Sequence, residues 1–441
     1  MPEVRSEDSV VRYYCTAGNG MEPFLVDEVK RKLAAQDVYQ IPGKVLFSSS
    51  ATIRRVCDLK AAERLFLLLK QDSPVRLSTH TSPGTTKAAS VLQSRLLGDG
   101  TQMTWEKTLL WEAWRMVRMH RFVKSQLQSD DFWVMRNKPY LLFFSPVSFR
   151  INCKCSGKLH RCVSAQEVSR VMGIGLSRLL GWKADLKNPK LEINVYLNDD
   201  YCLLGIPLTR LLLPLANRSY LKTPGLRSTV AWAMASLALI EPGSCVVDPM
   251  CGVGTILIEA AKEHKAACFL GVDIDDGQLQ KADENVVFAE LQSRVHLLKA
   301  SSTALPLPSA SVDAVVCDLP FGRKFSTRIN MAENLPVILS EMERVLRVGG
   351  TLVVLLSPQL SCLLKKLLLQ TNCGPKRNAE AESQTGMKSC LASSSEQHNL
   401  QITSSSSQEA STFSSLRHQA TLRVSLGVID GLIHKYIKTL D

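Results

Sequence analysis

Three acids close short apolar runs. Asp248 follows Val246-Val247 and opens the turn Asp248-Pro249-Met250-Cys251-Gly252-Val253-Gly254-Thr255. Asp273 closes Gly271-Val272, one strand–helix unit further on. Asp318 closes Val315-Val316-Cys317 and is followed by Leu319-Pro320-Phe321-Gly322. A glycine turn between strand and helix lets backbone approach a ligand closely. A dinucleotide fold needs a third glycine where a helix N-terminus meets pyrophosphate, and here Leu257 occupies that place. S-adenosyl-L-methionine (SAM) has no pyrophosphate, so the pattern favours SAM over a nicotinamide dinucleotide. Gly252 and Gly254, with Met250 in the same turn, would admit its methionine and ribose. Asp248 would sit near the cationic methionine moiety, and Asp273 stands where an acid bonds ribose hydroxyls in nucleoside-binding folds.

Asp318 suits a different task. The lone pair of an exocyclic amine is delocalised into its ring, so the amine is a poor nucleophile. Acceptors trained on its N–H groups, the Asp318 carboxylate and the Leu319 carbonyl, would localise that pair and aim it at a methyl sulfonium. Phe321 would stack on an unstacked or flipped base, and Pro320 fixes the turn. The segment Asp318-Leu319-Pro320-Phe321 resembles the D/N-P-P-Y/F motif of amino-group methyltransferases.

Such residues need a parallel sheet to bring them to one edge. Residues 228–356 alternate helix and strand regularly, which predicts an α/β fold with right-handed crossovers. Residues 371–418, rich in Ser, Gln, Asn and Glu, read as a disordered insertion. Arg423–Ile437 then supplies two short strands around Gly427 and Gly431, a hairpin closing the sheet. Five parallel strands and a terminal hairpin match a class I (Rossmann-like) methyltransferase better than a dehydrogenase.

The N-terminal half reads differently. Residues 11–75 alternate short strands and helices as a small α+β, ferredoxin-like unit with no catalytic constellation. Residues 76–104 read as a loop. The helix that follows carries Trp111 and Trp114 on a face with Val117 and Arg115, Arg118 and Arg121 beside it; packing explains it better than RNA contact. Residues 147–190 are strongly basic, with Arg150, Lys154, Lys158, Arg161, Arg178 and Lys183 as candidate RNA contacts. Arg150 and Lys154 fall on one strand face, and Gly173 and Gly175 would let backbone near a phosphate. Cys153 and Cys155 lack a second pair at zinc spacing, so they read as strand neighbours rather than metal ligands.

Composition agrees. The 441 residues carry 53 Lys and Arg against 41 Asp and Glu, net +12, which favours a polyanionic partner. The 13 cysteines include Cys202, Cys245, Cys268 and Cys317 inside apolar runs, as expected of buried reduced thiols rather than a disulfide framework. The N-terminus has no apolar secretory core, and the run Val230–Ile240 is too short to span a bilayer. These features place the protein in the nucleus or cytoplasm, not secreted and not in a membrane.

Residues 149–160, the glycine-bearing helix, Gly181–Pro189 and the next strand resemble a THUMP domain, an RNA-binding module, and residues 217–231 resemble the joint between that module and a methyltransferase. In combination these motifs are similar to those of the guanosine-methylating THUMP-domain RNA methyltransferases. The resemblance implies an N-terminal unit over 1–75, THUMP over 76–212 and a class I methyltransferase domain over 213–441. It further implies N(2)-methylguanosine formation in a small structured RNA, tRNA or spliceosomal small nuclear RNA, and a small zinc-binding activator subunit as heterodimer partner. Many relatives carry Gly-Asp after the third strand, the acid contacting the adenine amine; here Ala300-Ser301 stand there, and Ser301 would supply a hydroxyl instead. Two other readings remain open: an amino-methyltransferase acting on DNA adenine or a protein glutamine, and a non-catalytic RNA-binding protein.

Overall fold

The computed structural model describes residues 10–73, 93–94, 97, 148–162, 164–209, 211–216, 220–222, 225–321, 331–370 and 415–440. The tryptophan-bearing helix and most of the Ser-rich stretch lie outside them. The chain divides into two compact units, Met1–Arg218 with Ser228–Ala233, and Ser219–Arg227 with Met234–Asp441.

The first unit runs β1 (Val11–Thr16), α1 (Glu22–Leu33), β2 (Gln36–Ile41), β3 (Lys44–Ser49), α2 (Ile53–Val56), β4 (Arg64–Asp72), β5 (Ser148–Cys155), α3 (Leu159–Cys162), α4 (Ala165–Leu180), β6 (Lys183–Ala184), β7 (Leu191–Leu197), β8 (Cys202–Pro207) and α5 (Leu213–Ala216). All eight strands form one sheet, order β2-β3-β1-β4-β8-β7-β5-β6. Antiparallel pairing of β4 with β8 joins the two stretches expected as separate, 1–75 and 76–212. β1 is central, and Tyr13, Tyr14 and Cys15 are buried on both its faces. Helix α1 is pinned by Glu28, whose buried carboxylate accepts the N–H groups of Lys60 and Ala61 at 2.8 and 2.9 Å and pairs with Lys32 at 3.0 Å. Helix α4 starts as expected, the Ser164 hydroxyl accepting the Glu167 N–H at 3.1 Å, and stops at Gly181 in the left-handed region. Gly175 does not face a phosphate: a Cβ there would meet Gln93 and Leu97, so the missing side chain serves packing. Gln93, Ser94 and Leu97 are themselves helical rather than loop.

The second unit takes in α6 (Ser228–Leu237), shared between the units, then β9 (Cys245–Asp248), α7 (Thr255–Glu263), β10 (Cys268–Asp273), α8 (Asp276–Phe288), β11 (Val295–Lys299), β12 (Val312–Asp318), α9 (Met331–Val345), β13 (Leu346–Leu356), α10 (Pro358–Gln370), β14 (Leu416–Ser425) and β15 (Asp430–Lys438). The sheet order is β11-β10-β9-β12-β13-β15-β14. The first five are parallel and β15 runs antiparallel between β13 and β14, the class I methyltransferase arrangement expected. Val315, Val316 and Leu352 to Leu356 are fully buried, as strands covered on both faces must be. Leu416–His418, expected in the disordered insertion, belong to β14. Cys202 and Cys317 are buried free thiols, whereas Cys245 is half-buried and Cys268, at the mouth of β10, is exposed. No helix among the described residues is long and apolar enough to cross a membrane.

The terminal hairpin is tied to α10 by a buried histidine. His434 pairs through Nε2 with the Ser361 hydroxyl at 2.8 Å and through Nδ1 with the Thr421 hydroxyl at 3.0 Å. Burial first, then His418 and Lys365, push its pKa down to about 4. The folded state therefore holds His434 neutral, and its contribution, intact above about 6.5, is lost as pH falls toward 4. Urea unfolding of wild type and His434→Gln across pH 4–7 is expected to show a difference that shrinks by about 3 kcal/mol at the acid end; a pH-independent difference would contradict it.

Candidate active site

In this sheet the strands after β9 run outward one way, to β10 and β11, and β12 and β13 lie on the other side. The crevice beyond the carboxyl ends of β9 and β12 is thus the switch point where open α/β sheets hold ligands. Asp248 ends β9, Asp273 ends β10 and Asp318 ends β12.

The glycine loop is wired to these strand ends. The Met250 N–H donates to Asp248 at 3.2 Å, Cys251 N–H to the Val272 carbonyl at 2.9 Å and Gly252 N–H to Asp273 at 2.9 Å. Gly252 (φ +52°) and Gly254 (φ +80°) sit in the left-handed region that favours glycine, and Gly254 starts α7. Asn285, fully buried in α8, donates to the Val253 carbonyl at 3.0 Å and accepts the Lys222 N–H at 2.8 Å. The 220–222 segment is held further by Tyr220, whose hydroxyl donates to Glu259, and by Lys222 with Glu284 at 2.9 Å.

A shallow cleft opens beside the loop, lined by Pro249, Met250, Asp273, Ile274, Ser301, Ser302, Thr303, Met331 and Ile338. It gathers Met250, Asp273 and Ser301 of the expected cofactor residues, while Asp248 is buried. The Ser301 hydroxyl already pairs with that of Thr303 at 2.7 Å, so this part of the cleft presents two neutral hydroxyls. Ile274, Thr303 and Asn285 were not read from the sequence. The signal for Ile274 was there: an apolar residue between the acids Asp273 and Asp275, left 58% exposed.

Electrostatics favour a cationic guest. Burial pushes the Asp248 carboxyl well above the usual carboxylate range, and the nearby charges of Asp318 and Asp273 push it further. Burial alone raises Asp318 to about 7. Among the described residues no group hydrogen-bonds the Asp318 carboxylate. Leu319 spends its N–H on the Leu355 carbonyl at 3.1 Å and buries its side chain completely. Pro320 and Phe321 are half-buried at the rim. A sulfonium-bearing amino acid nucleoside fits this donor set: carboxylates for its positive charge, backbone at two glycines, and an apolar and hydroxyl-lined cleft.

The candidate RNA cations lie in the other unit. Lys154, Lys158, Arg161, Arg178 and Lys183 are exposed. Arg150 is half-buried on the same strand face as Lys154, and its guanidinium is engaged by Glu192 at 3.0 Å and the Leu186 carbonyl at 3.1 Å. They are not gathered at one point: Lys183 pairs beside Ser148 at the start of β5, and Lys154 stands near its end. The Cys153 and Cys155 sulfurs are 3.6 Å apart on the opposite face, and no metal-holding cluster occurs among the described residues.

Comparison with known proteins agrees with this architecture. Residues 139–206 match the THUMP domain and residues 216–382 the RMKL-like methyltransferase domain. The U6 snRNA (guanine-N(2))-methyltransferase THUMPD2 of Homo sapiens is 37% identical, over 100% of this chain and 99% of that one. The Bos taurus protein of the same name is 40% identical over 78% of each. The tRNA (guanine(6)-N(2))-methyltransferase THUMP3 of Mus musculus is 31% identical over 50% of this chain and 45% of that one. The crystal structure of TrmN from Thermus thermophilus superposes with a TM-score of 0.64 over 98% of this chain and all of that one, at 19% identity, and shares the fold. With the class I sheet, the cofactor-type loop and full-length similarity together, this chain belongs to the THUMPD2 family of THUMP-domain, SAM-dependent methyltransferases.

Proposed function

We propose that this protein transfers the methyl group of SAM to the exocyclic N2 of a guanosine in U6 small nuclear RNA. The observation that carries it is Asp318, an acid at the switch-point edge, raised to about 7 and without a hydrogen-bond partner for its carboxylate among the described residues. SAM supplies an electrophilic methyl group on a sulfonium. The glycine loop, with Met250, Gly252 and Gly254, would hold its amino-acid end near Asp248, Asp273 would take the ribose hydroxyls, and Ser301 with Thr303 and Ile274 would receive the adenine. Asp318 accepts one N–H of the guanine amine and the Leu319 carbonyl the other, which localises the nitrogen lone pair toward the methyl. Pro320 holds that turn, and Phe321 stacks on the base. The amine's proton leaves after transfer, to Asp318 or water, so no strong base is needed.

Lys154, Lys158, Arg161, Arg178 and Lys183 of the THUMP region carry the phosphate contacts, with Arg150 supporting that surface through Glu192. The division into an N-terminal unit (1–75), THUMP (76–212) and methyltransferase (213–441) stands as part of this reading. A small zinc-binding activator docks on the methyltransferase unit. What supports it is edge strand β11, beside which Val287, Phe288 and Leu298 are exposed. Acting on U6 RNA, the protein would work in the nucleus; acting on tRNA, in the cytoplasm.

Asn285 makes this cofactor site sensitive to the segment before it. Asn285→Ala leaves the Val253 carbonyl and Lys222 N–H unpaired, and is expected to weaken SAM about tenfold while THUMP-borne RNA affinity stays unchanged. Calorimetry with SAM and filter binding with RNA separate the two; equal losses in both would contradict it.

The test of function is transfer from labelled SAM, with and without the activator, to transcripts of U6 RNA and tRNA. Label in U6 RNA alone supports the proposal, and label in tRNA alone moves the substrate. Label only in DNA or protein revives the other amino-methyltransferases. No label and no SAM binding leaves an RNA-binding protein.

A further inference from the structure

The turn between β14 and β15, Leu426-Gly427-Val428-Ile429, has the wrong chemistry for a hairpin loop. Such turns are ordinarily built from Asn, Asp, Gly and Ser. Only Gly427 meets that demand, at φ +106°. Val428 is fully exposed at 102%, so it packs against nothing among the described residues. The turn is nonetheless fixed: Leu426 N–H donates to the Ile429 carbonyl at 2.8 Å, and Arg423 pairs with Asp430 at its base, through Nε at 3.1 Å. A rigid hairpin is presenting a β-branched apolar side chain to solvent.

Its place on the sheet says to what. Asp318 on β12 is level with Leu355 on β13, and Leu355 with Ile433 on β15. Strand β15 leads back from Ile433 to Asp430 beyond the carboxyl edge, so the turn rises about 10 Å above the row that contains Asp318. It stands two strands, again about 10 Å, to one side. The acids of the cofactor side, Asp248 and Asp273, lie on β9 and β10, across Asp318 from the turn. Chemistry at Asp318 is thus bounded by the methyl donor on one side and by this apolar tip on the other. Arg227 adds charge: its guanidinium lies 3.4 Å from where a Gly427 Cβ would stand, and it is exposed. A cation beside an isolated apolar tip is too small for a protein interface but suits a nucleotide, which offers a phosphate and an apolar base face.

We propose that the Leu426–Ile429 turn is a nucleotide-contact site, in which Val428 packs against the base next to the target guanosine and Arg227 meets a backbone phosphate. The inference rests on the RNA methyltransferase reading above. A guanosine N2 reaches Asp318 only after its base leaves the stack, and an apolar wedge offsets the stacking lost by the neighbour.

The test compares wild type, Val428→Leu and Val428→Glu on the RNA that wild type methylates, with calorimetric SAM binding and a 2-aminopurine placed beside the target. Val428→Glu is expected to raise the KM for RNA about tenfold and to abolish the fluorescence change on binding. Its SAM affinity should equal wild type, and Val428→Leu should behave as wild type. A KM within twofold of wild type for Val428→Glu overturns the proposal, as does an equal loss in Val428→Leu. Wild type that binds SAM yet methylates no RNA overturns the functional reading and this one together, and is recognised from the wild-type reaction alone.

Discussion

Asp318→Ala is expected to lower kcat for RNA methylation by about 10²–10³-fold, the size seen when one preorganised group that stabilises a transition state is removed. Three features of the site set that expectation. The carboxylate ends β12 at the switch point, it has no internal hydrogen-bond partner among the described residues, and burial holds it at about 7. A carboxyl raised in this way is neutral below about pH 7 and becomes a charged, stronger acceptor only above it. The single-turnover methylation rate should therefore fall as pH drops through about 7. Asp318→Asn keeps an acceptor oxygen, loses the charge and should lose that pH limb. The measurement is single-turnover methylation at saturating SAM across pH 6–9. If Asp318→Ala retained kcat within threefold, the acceptor role would be wrong. SAM affinity should stay within a few-fold throughout, since Asp318 faces the acceptor amine rather than the cofactor's charge.

Asp248→Asn is expected to act in the opposite sense on two observables. Without cofactor, Asp248 is a liability: fully buried, pushed up by desolvation, and facing the charges of Asp318 and Asp273. Removing its charge relieves that cost, so the cofactor-free protein should melt no lower than wild type, and higher at alkaline pH. With cofactor, the same charge compensates a cation in a low-dielectric crevice, and its loss should weaken SAM by about 100-fold, near 3 kcal/mol. Such opposition is the signature of a site that gives up stability for binding. Thermal melts with and without SAM, together with calorimetry, read both. An unchanged SAM affinity, or a cofactor-free melting point that falls as far as the affinity does, would show Asp248 to be a structural residue only.

The sequence exposed the site better than it exposed the sheet around it. Asp248, Gly252, Gly254, Asp273 and Asp318 were legible because each sits at a strand end or a left-handed turn, where local chemistry dictates residue type. Strand β2, Gln36–Ile41, was missed because its edge position leaves it largely exposed, so it shows no apolar alternation. The single eight-stranded sheet was missed because β4 and β8 are joined by pairing between stretches far apart in sequence, and local patterns carry no register. Helix α10 was passed over, its apolar run beginning at a proline directly after a buried strand. Asn285 reads as an ordinary mid-helix residue, and only the fold brings it to the Val253 carbonyl. Gly175 looked like a phosphate seat because glycine in a basic helix has two uses, and the packing of Gln93 and Leu97 decides between them. Cys268 looked buried from its apolar neighbours, yet it lies where β10 enters the sheet.

The most direct test of the central claim is to digest RNA labelled by the wild-type protein, with the activator present, to nucleosides and identify the labelled one by mass spectrometry. The expected label is N(2)-methylguanosine, absent from the Asp318→Ala reaction. Label in a methylated adenosine, or N(2)-methylguanosine undiminished in Asp318→Ala, would contradict it.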